Sequence, residues 1–262
     1  MTNDRLQQAF SRKCFIAFIT GGDPSIADTR RFVKCLVDAG VGLIEIGIPF
    51  SDPIAEGPVI REASERALAG GATLDALLDM ISGLREQDGV TIPLAVMTYL
   101  NPVHHFGYPE FFDRARAAGV DAVIIPDLPF EEHGELADIA ASHDVALVSM
   151  IAPTSAMRVR EIAAHAKGFI YLVSSMGVTG VRQDITTDIA SIVADIRQVT
   201  DVPVAIGFGI ATPGQVAELG GQADAVIVGS AIVKLIARDG SQADQAISEY
   251  VREMVAALPQ GA

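Results

Sequence analysis

Short apolar runs rich in Val and Ile recur along the chain, each followed by a turn and an amphipathic stretch. The runs are Phe15–Thr20, Leu43–Ile48, Leu94–Tyr99, Ala122–Ile125, Ala146–Ile151, Phe169–Val173, Pro203–Ile206 and Ala225–Val228. Their apolar character is continuous rather than alternating, which predicts parallel strands buried on both faces. Apolar residues at helical spacing predict helices over Ile26–Ala39, Val59–Ala69, Leu74–Gln87, Glu110–Ala118, Glu131–Ser142, Ala156–Ala166, Asp188–Val199 and about Asp244–Ala257. Thr73 reads as an N-cap, and Thr212 caps a further helix with Pro213 at its first position. Helical sequence also follows the GSA turn at 229–231. Asp4–Ser11 reads as a short amphipathic helix, with Leu6 and Phe10 one turn apart, suited to plug one end of a barrel. The stretch NPVHHFGYP after the third run, with its prolines and glycine, reads as a loop.

Helices tend to stop at glycine before the next strand, at 39–40, 118–119 and 220–221. Eight strand–helix units averaging roughly 33 residues fit the size of a (β/α)8 barrel. The expected fold is therefore α/β: a single TIM-barrel domain over 1–262, with an extra N-terminal helix and extra loop helices. A doubly wound open sheet competes, but even spacing without a linker favours closure. Gly119–Ile125 resembles Gly40–Ile46, a faint sign of an internal repeat.

One run carries chemistry. In LIEIGIPFSDPIAEGP, Leu43 to Pro58, Glu45 sits in the middle of the apolar strand. A buried carboxylate is costly unless it is paired, hydrogen-bonded or neutral. Asp52 and Glu56 follow on a Pro/Gly-rich loop beyond the strand's C-terminal end, where enzymes built on parallel sheets keep their active sites. A structural Glu45 satisfied by Arg or backbone amides, and ordinary solvated loop acids, are the plain alternatives. At the far end of the chain, GVTG (177–180), GFG (207–209) and GSA (229–231) follow the last three strands. Glycines there let backbone N–H groups approach an anion, and the loops after the seventh and eighth strands of a barrel are its usual phosphate site. Together these features read as carboxylate acid–base chemistry on a small phosphorylated substrate.

Composition narrows the choice. A net charge of −14 argues against nucleic acid or an acidic membrane surface as partner. Cys14 and Cys35 lack CxxC spacing and are expected to be buried, reduced thiols. With no leader pattern and no apolar stretch near the roughly 18 residues of a membrane span, the expected location is cytoplasmic. His104, His105, His133, His143 and His165 show no metal-ligand spacing, so no metal is expected. No GxSxG occurs, and no lysine is central in a predicted strand, which disfavours a Schiff base. Tyr171, on the sixth strand, is either a site residue or a core tyrosine. Phe18 and Phe208 either wall an apolar pocket or fill the barrel.

With these residues placed, the chain resembles the tryptophan synthase α-subunit family over nearly its whole length. The carriers are FITGGDP (18–24), EIGIPFSDPIAEGP (45–58), MTYLNP (97–102), IIPDLP (124–129), YLVSSMGVTG (171–180), GFGI (207–210) and VGSAIV (228–233). The resemblance implies retro-aldol cleavage of indole-3-glycerol phosphate to indole and glyceraldehyde 3-phosphate, with no metal or organic cofactor in this chain. It implies that Glu45 is the catalytic acid/base, and that the loop acid stabilises charge developing on the indole nitrogen. It places Phe18, Ile60 and Phe208 against indole, Tyr171 in the site and Thr179 on a closing loop. Gly180, Gly209, Gly229 and Ser230 fall around the phosphate. It further implies a pyridoxal-phosphate-bearing β subunit as partner in an αββα complex, with Asp52, Pro53, Asn101 and Pro102 in the contact region; any pyridoxal phosphate belongs to that partner.

Desolvation is expected to raise Glu45, while the second acid stays ionised. One departure stands out. The family's second acid is usually the Asp of ADGP, whereas this chain has Glu56 in AEGP. The charge is kept on a side chain longer by about 1.5 Å. The rival expectations are a different phosphate-binding barrel, such as a sugar-phosphate isomerase or aldolase, and a non-catalytic α-like subunit that binds ligand and activates a partner.

Overall fold

The computed structural model describes residues 4–153, 156–173, 188–207 and 209–259. The strands are β1 (Cys14–Thr20), β2 (Leu43–Gly47), β3 (Leu94–Met97), β4 (Ala122–Ile124), β5 (Ala146–Leu147), β6 (Ser149–Ile151), β7 (Ile170–Val173), β8 (Val204–Gly207) and β9 (Ala225–Val228). All neighbours pair in parallel, in the order β5-β4-β3-β2-β1-β9-β8-β7-β6. The chain passes from β5 into β6 through Val148 alone, whose N–H donates to the Val123 carbonyl at 2.9 Å. Both ends of the strand order therefore lie on one extended stretch, and eight strand positions close into a barrel. The single fifth strand expected from the apolar run is thus divided at Val148: Ala146–Leu147 pairs with β4 and Ser149–Ile151 with β7.

Strand side chains alternate between two apolar layers. Leu43, Ala95, Ala122, Phe169, Ala205 and Ala225 point into the barrel. Ile44, Ile46, Val96, Val123 and Ile206 pack outward against the helices. Burial on both faces explains why the strands read as unbroken apolar runs. The N-terminal helix Asp4–Ala9 closes the floor, with Leu6 buried and the Phe10 ring 5.5 Å from that of Phe169.

One expected loop is a helix. Leu100–Phe106 is helical and runs through Gly107 into the helix Tyr108–Ala118. Pro102 falls within the first turn, where its missing N–H costs nothing. The Leu100 N–H donates to Asp127 Oδ1 at 2.8 Å, so the cap comes from the loop after β4 rather than from local sequence. All five histidines lie on helices or at their ends. Cys14 is buried as expected, but Cys35 is only half-buried, its thiol 3.4 Å from Asp244 Oδ1.

The floor carries one device twice. Arg85, near the end of helix Leu74–Glu86, donates to the carbonyls of Val90 and Ile92 and to Asp121 Oδ2. Asp121 Oδ2 also accepts from Leu94 N–H at 2.8 Å, joining β3 to β4. Arg197 likewise donates to the Val202 carbonyl and to Asp224 Oδ2, which accepts from Val204 N–H at 2.7 Å and joins β8 to β9. Each Asp opens the sequence Asp-Ala-Val-Ile, at 121–124 and 224–227. The two clamps stand four strand positions apart. The two like clamps thus precede β4 and β9, a likeness that the resemblance of Gly119–Ile125 to Gly40–Ile46 does not include.

Candidate active site

At the C-terminal end of the strands a cavity opens, lined by Phe18, Ala55, Glu56, Ile60, Met97, Pro126, Met150, Tyr171, Gly209, Ile210, Ile227, Gly229 and Ser230. Its apolar wall is built from one layer. Phe18, from β1, packs with Ile60 of helix Pro58–Ala69, Val233 and Met97. Close approach makes this possible: a Cβ on Gly47 would lie 2.6 Å from Phe18 Cζ, and one on Gly207 would lie 2.6 Å from Tyr171 Oη. Only glycine fits at either strand end.

Glu45 lies on β2 between Phe18 of β1 and Ala95 of β3. Its parity with Leu43 points it into the barrel. It is fully buried, and neither carboxylate oxygen has a hydrogen-bond partner among the described residues. With no cation to offset it, desolvation raises its pKa from 4.5 to about 8. It is therefore protonated at neutral pH. Its charge when ionised is felt by Tyr171, whose phenol is held well above its ordinary value, chiefly by burial and then by Glu45. Ala95 and Ala205, the strand neighbours of Glu45 and Tyr171, leave room between these two polar groups. Glu45 is not among the cavity's lining residues; its strand neighbour Phe18 lines it.

Glu56 lines the cavity from the loop above. Its Oε2 is buried without a hydrogen-bond partner among the described residues, and desolvation raises its pKa from 4.5 to about 7. Burial thus opposes the ionised form expected of the second acid. The loop is tethered where Ala55 N–H donates to Tyr99 Oη.

Opposite the acids, Gly209, Gly229 and Ser230 line the cavity, and Ser230 opens the helix Ser230–Asp239. A helix N-terminus that begins on the cavity wall offers N–H groups and a partial positive charge to an anion. Thr179, Gly180 and Phe208 lie outside the described residues. Asp52 and Asn101 are exposed and Pro53 and Pro102 half-buried, all on segments beyond the strand ends. Between them Ile54 stands 73% exposed, an apolar side chain on an acidic loop that its sequence context did not mark. Met97, Pro126, Met150, Ile210 and Ile227 join the site without having stood out in the sequence. Strand parity marks three of them, because each follows an inward residue two places earlier: Ala95, Val148 and Ala225. Among the described residues no group of His, Cys, Asp and Glu is arranged to hold a metal ion. Among the described residues no single helix is long and apolar enough to cross a membrane.

Comparison with known proteins agrees with this geometry. The profile described as tryptophan synthase alpha chain matches residues 5–259. The tryptophan synthase alpha chain of Lactiplantibacillus plantarum is 47% identical over 249 residues, covering 95% of this chain and 93% of that protein. The alpha chain of Geobacillus stearothermophilus is 44% identical over 253 residues, 93% and 94% of the two. Among solved structures, the tryptophan synthase alpha chain of Legionella pneumophila is 33% identical with a TM-score of 0.86 over 97% of both chains. A chain of the tryptophan synthase α2β2 complex of Pyrococcus furiosus is 33% identical with a TM-score of 0.83, covering 94% of this chain and 98% of that one. A barrel with two desolvated carboxyls at its mouth, matched along nearly its whole length, belongs to the tryptophan synthase alpha chain family.

Proposed function

We propose that this lyase cleaves indole-3-glycerol phosphate to indole and glyceraldehyde 3-phosphate with Glu45 as both general acid and general base. The observation that carries the assignment is the Glu45 carboxyl: fully buried, unpartnered, raised to about 8 and strand neighbour to Phe18, which lines an apolar cavity. A neutral acid there donates its proton to indole C3. The ring becomes a cation with its charge on the nitrogen. The Glu45 carboxylate then takes the proton of the glycerol hydroxyl next to the ring. As that O–H bond breaks, its electrons form the aldehyde C=O and the C–C bond electrons return to the ring. The proton is back on Glu45 at the end of the cycle.

Glu56 faces the nitrogen of the ring cation. Cation formation favours its ionised form, offsetting the desolvation that raises its pKa. Phe18, Ile60 and Phe208 hold the indole plane, with Met97 and Met150 completing the wall. Gly209, Gly229 and Ser230 receive the phosphate at the helix N-terminus, joined by Gly180. Tyr171 stands between Glu45 and the cavity and orients the carboxyl.

The reaction needs only proton transfers, and pyridoxal phosphate is assigned to the β subunit. The partner reading rests on the likeness to the Pyrococcus furiosus complex and on the exposed loop Asp52–Pro53–Ile54 beside Asn101 and Pro102.

The test is steady-state cleavage of indole-3-glycerol phosphate, with and without a cognate β subunit. Turnover that rises on adding β supports the reading. Glu45→Gln should lower turnover by at least about a hundredfold while a non-cleavable indole-phosphate analogue still binds. A folded protein that binds β and shows no turnover, or an active Glu45→Gln variant, rejects it.

A further inference from the structure

A second cavity lies at the opposite end of the barrel, away from the chemistry. It is bounded by the N-terminal helix and the turn after it (Arg5, Gln8, Arg12, Lys13), by the turns leading into β2 and β3, and by the last helix and its C-terminal extension (Val255, Leu258, Pro259). Gly40 and Gly42 contribute no side chains to it, and Gly42 can bear none, since a Cβ there would meet Cys14 Sγ at 2.6 Å. The lining holds three cations, Arg5, Arg12 and Lys13, and no carboxylate. In a chain of net charge −14 this is a local reversal of sign.

The plain account is that cations here balance the helix C-termini, which all point to this face. It serves for Lys13, whose Nζ donates to the Ala223 carbonyl at 2.6 Å, and Arg5 is paired with Asp121. It does not serve for Arg12, which has no hydrogen-bond or ion-pair partner among the described residues. Beyond the cations the lining is mixed: Ile92, Leu258 and Pro259 are half-buried and face the hollow, while Phe15 and Val41 are buried behind them. A guanidinium and an ammonium at the rim of a hollow that also exposes Ile92, Leu258 and Pro259 suit a small organic anion: a carboxylate head on the cations and a flat or branched hydrocarbon body against those three side chains.

We propose that this floor cavity is a binding site for a small amphipathic carboxylate, separate from the catalytic cavity. Arg12 and Lys13 hold the carboxylate, and Ile92, Leu258 and Pro259 hold the body. The hollow lies beneath the first residues of β1 and β2, the strands that carry Phe18 and Glu45 further along.

The probe is 4-fluorobenzoate, followed by fluorine NMR on the full chain. Saturable binding is expected, and it should persist when glycerol 3-phosphate saturates the catalytic face. Arg12→Glu, at an exposed position with no partner to lose, should weaken binding by roughly tenfold or more, the loss of one charge-assisted hydrogen bond. Gln8→Glu should weaken it independently, and Arg12→Lys should retain it. No saturable binding, binding displaced by glycerol 3-phosphate, or equal affinity in Arg12→Glu with its circular dichroism unchanged would overturn the assignment.

Discussion

The phenol oxygen of Tyr99 accepts a hydrogen bond from the backbone N–H of Ala55 at 3.1 Å. Tyr99 follows β3, and Ala55 immediately precedes Glu56, so one bond ties the rigid wall to the loop carrying the second acid. Phe50, 5.3 Å from the Tyr99 ring, braces the same loop. Tyr99 touches no reacting atom and acts as a positioning residue. Tyr99→Phe should lower kcat about tenfold, because placement errors near 1 Å are costly, while global stability falls by only about 1 kcal/mol. Thermal melts alongside kcat and KM separate the two effects; a loss confined to stability would refute the positioning role.

The two carboxyls predict a narrow pH optimum. Glu56 works ionised and titrates near 7, so activity is lost as pH falls below that value. Glu45 works protonated and titrates near 8, so activity is lost as pH rises above that value. The profile of kcat/KM, which reports the free enzyme, should be a bell between these limbs. Glu56→Gln should flatten the acid limb and leave the basic limb in place. A profile level from pH 6 to 9 would contradict both assignments.

Glu45 is expected to cost stability at alkaline pH. Its folded-state value lies above the ordinary 4.5. Between 4.5 and about 8 the unfolded chain has released this proton while the folded chain still holds it. The group's contribution to stability is therefore complete below 4.5 and is lost as pH rises through about 8. Glu45→Gln, which cannot ionise, should melt higher than the parent at pH 8.5 by several degrees and nearly level with it at pH 4.5. Equal melting differences at both pH values would mean that the carboxyl finds a partner when charged.

Ile54 should matter to assembly rather than to chemistry. It is 73% exposed and flanked by Pro53 and Ala55. Ile54→Asp should weaken association with a β subunit by roughly tenfold or more, the cost of one buried branched side chain. Basal cleavage by the isolated chain should be unchanged. Sedimentation of the mixed subunits reads the first effect and the uncoupled assay reads the second.

Much of this was visible in the chain. Parallel strands buried on both faces write themselves as continuous Val/Ile runs, and Glu45 stood out because nothing else in its run is polar. What stayed hidden depended on distant partners. The helix Leu100–Phe106 is capped by Asp127, twenty-seven residues on, so local signals showed only Pro102 and Gly107. The division of the fifth strand at Val148 reflects pairing with β4 on one side and β7 on the other, which no window of residues contains. Glu56 was legible as an acid. Its raised pKa was not, because the desolvation arises from walls supplied by other elements. Tyr99 carried no mark of its role, since its partner is a backbone N–H.

The paired clamps on the floor, Arg85–Asp121 and Arg197–Asp224, divide the molecule along a diameter. Each half owns its own fastening, yet the halves have taken different trades above it. Phe18, Glu45, Glu56 and Ile60 all come from the half that ends with β4, whereas the anion cradle of Gly209, Gly229 and Ser230 comes from the half that ends with β9. On the proposed roles, bond-breaking and substrate-holding thus fall to separate halves of the barrel. A substitution in the second half can change which phosphate ester is held without altering the acid that cleaves it, and the reaction itself exists only where the two halves meet.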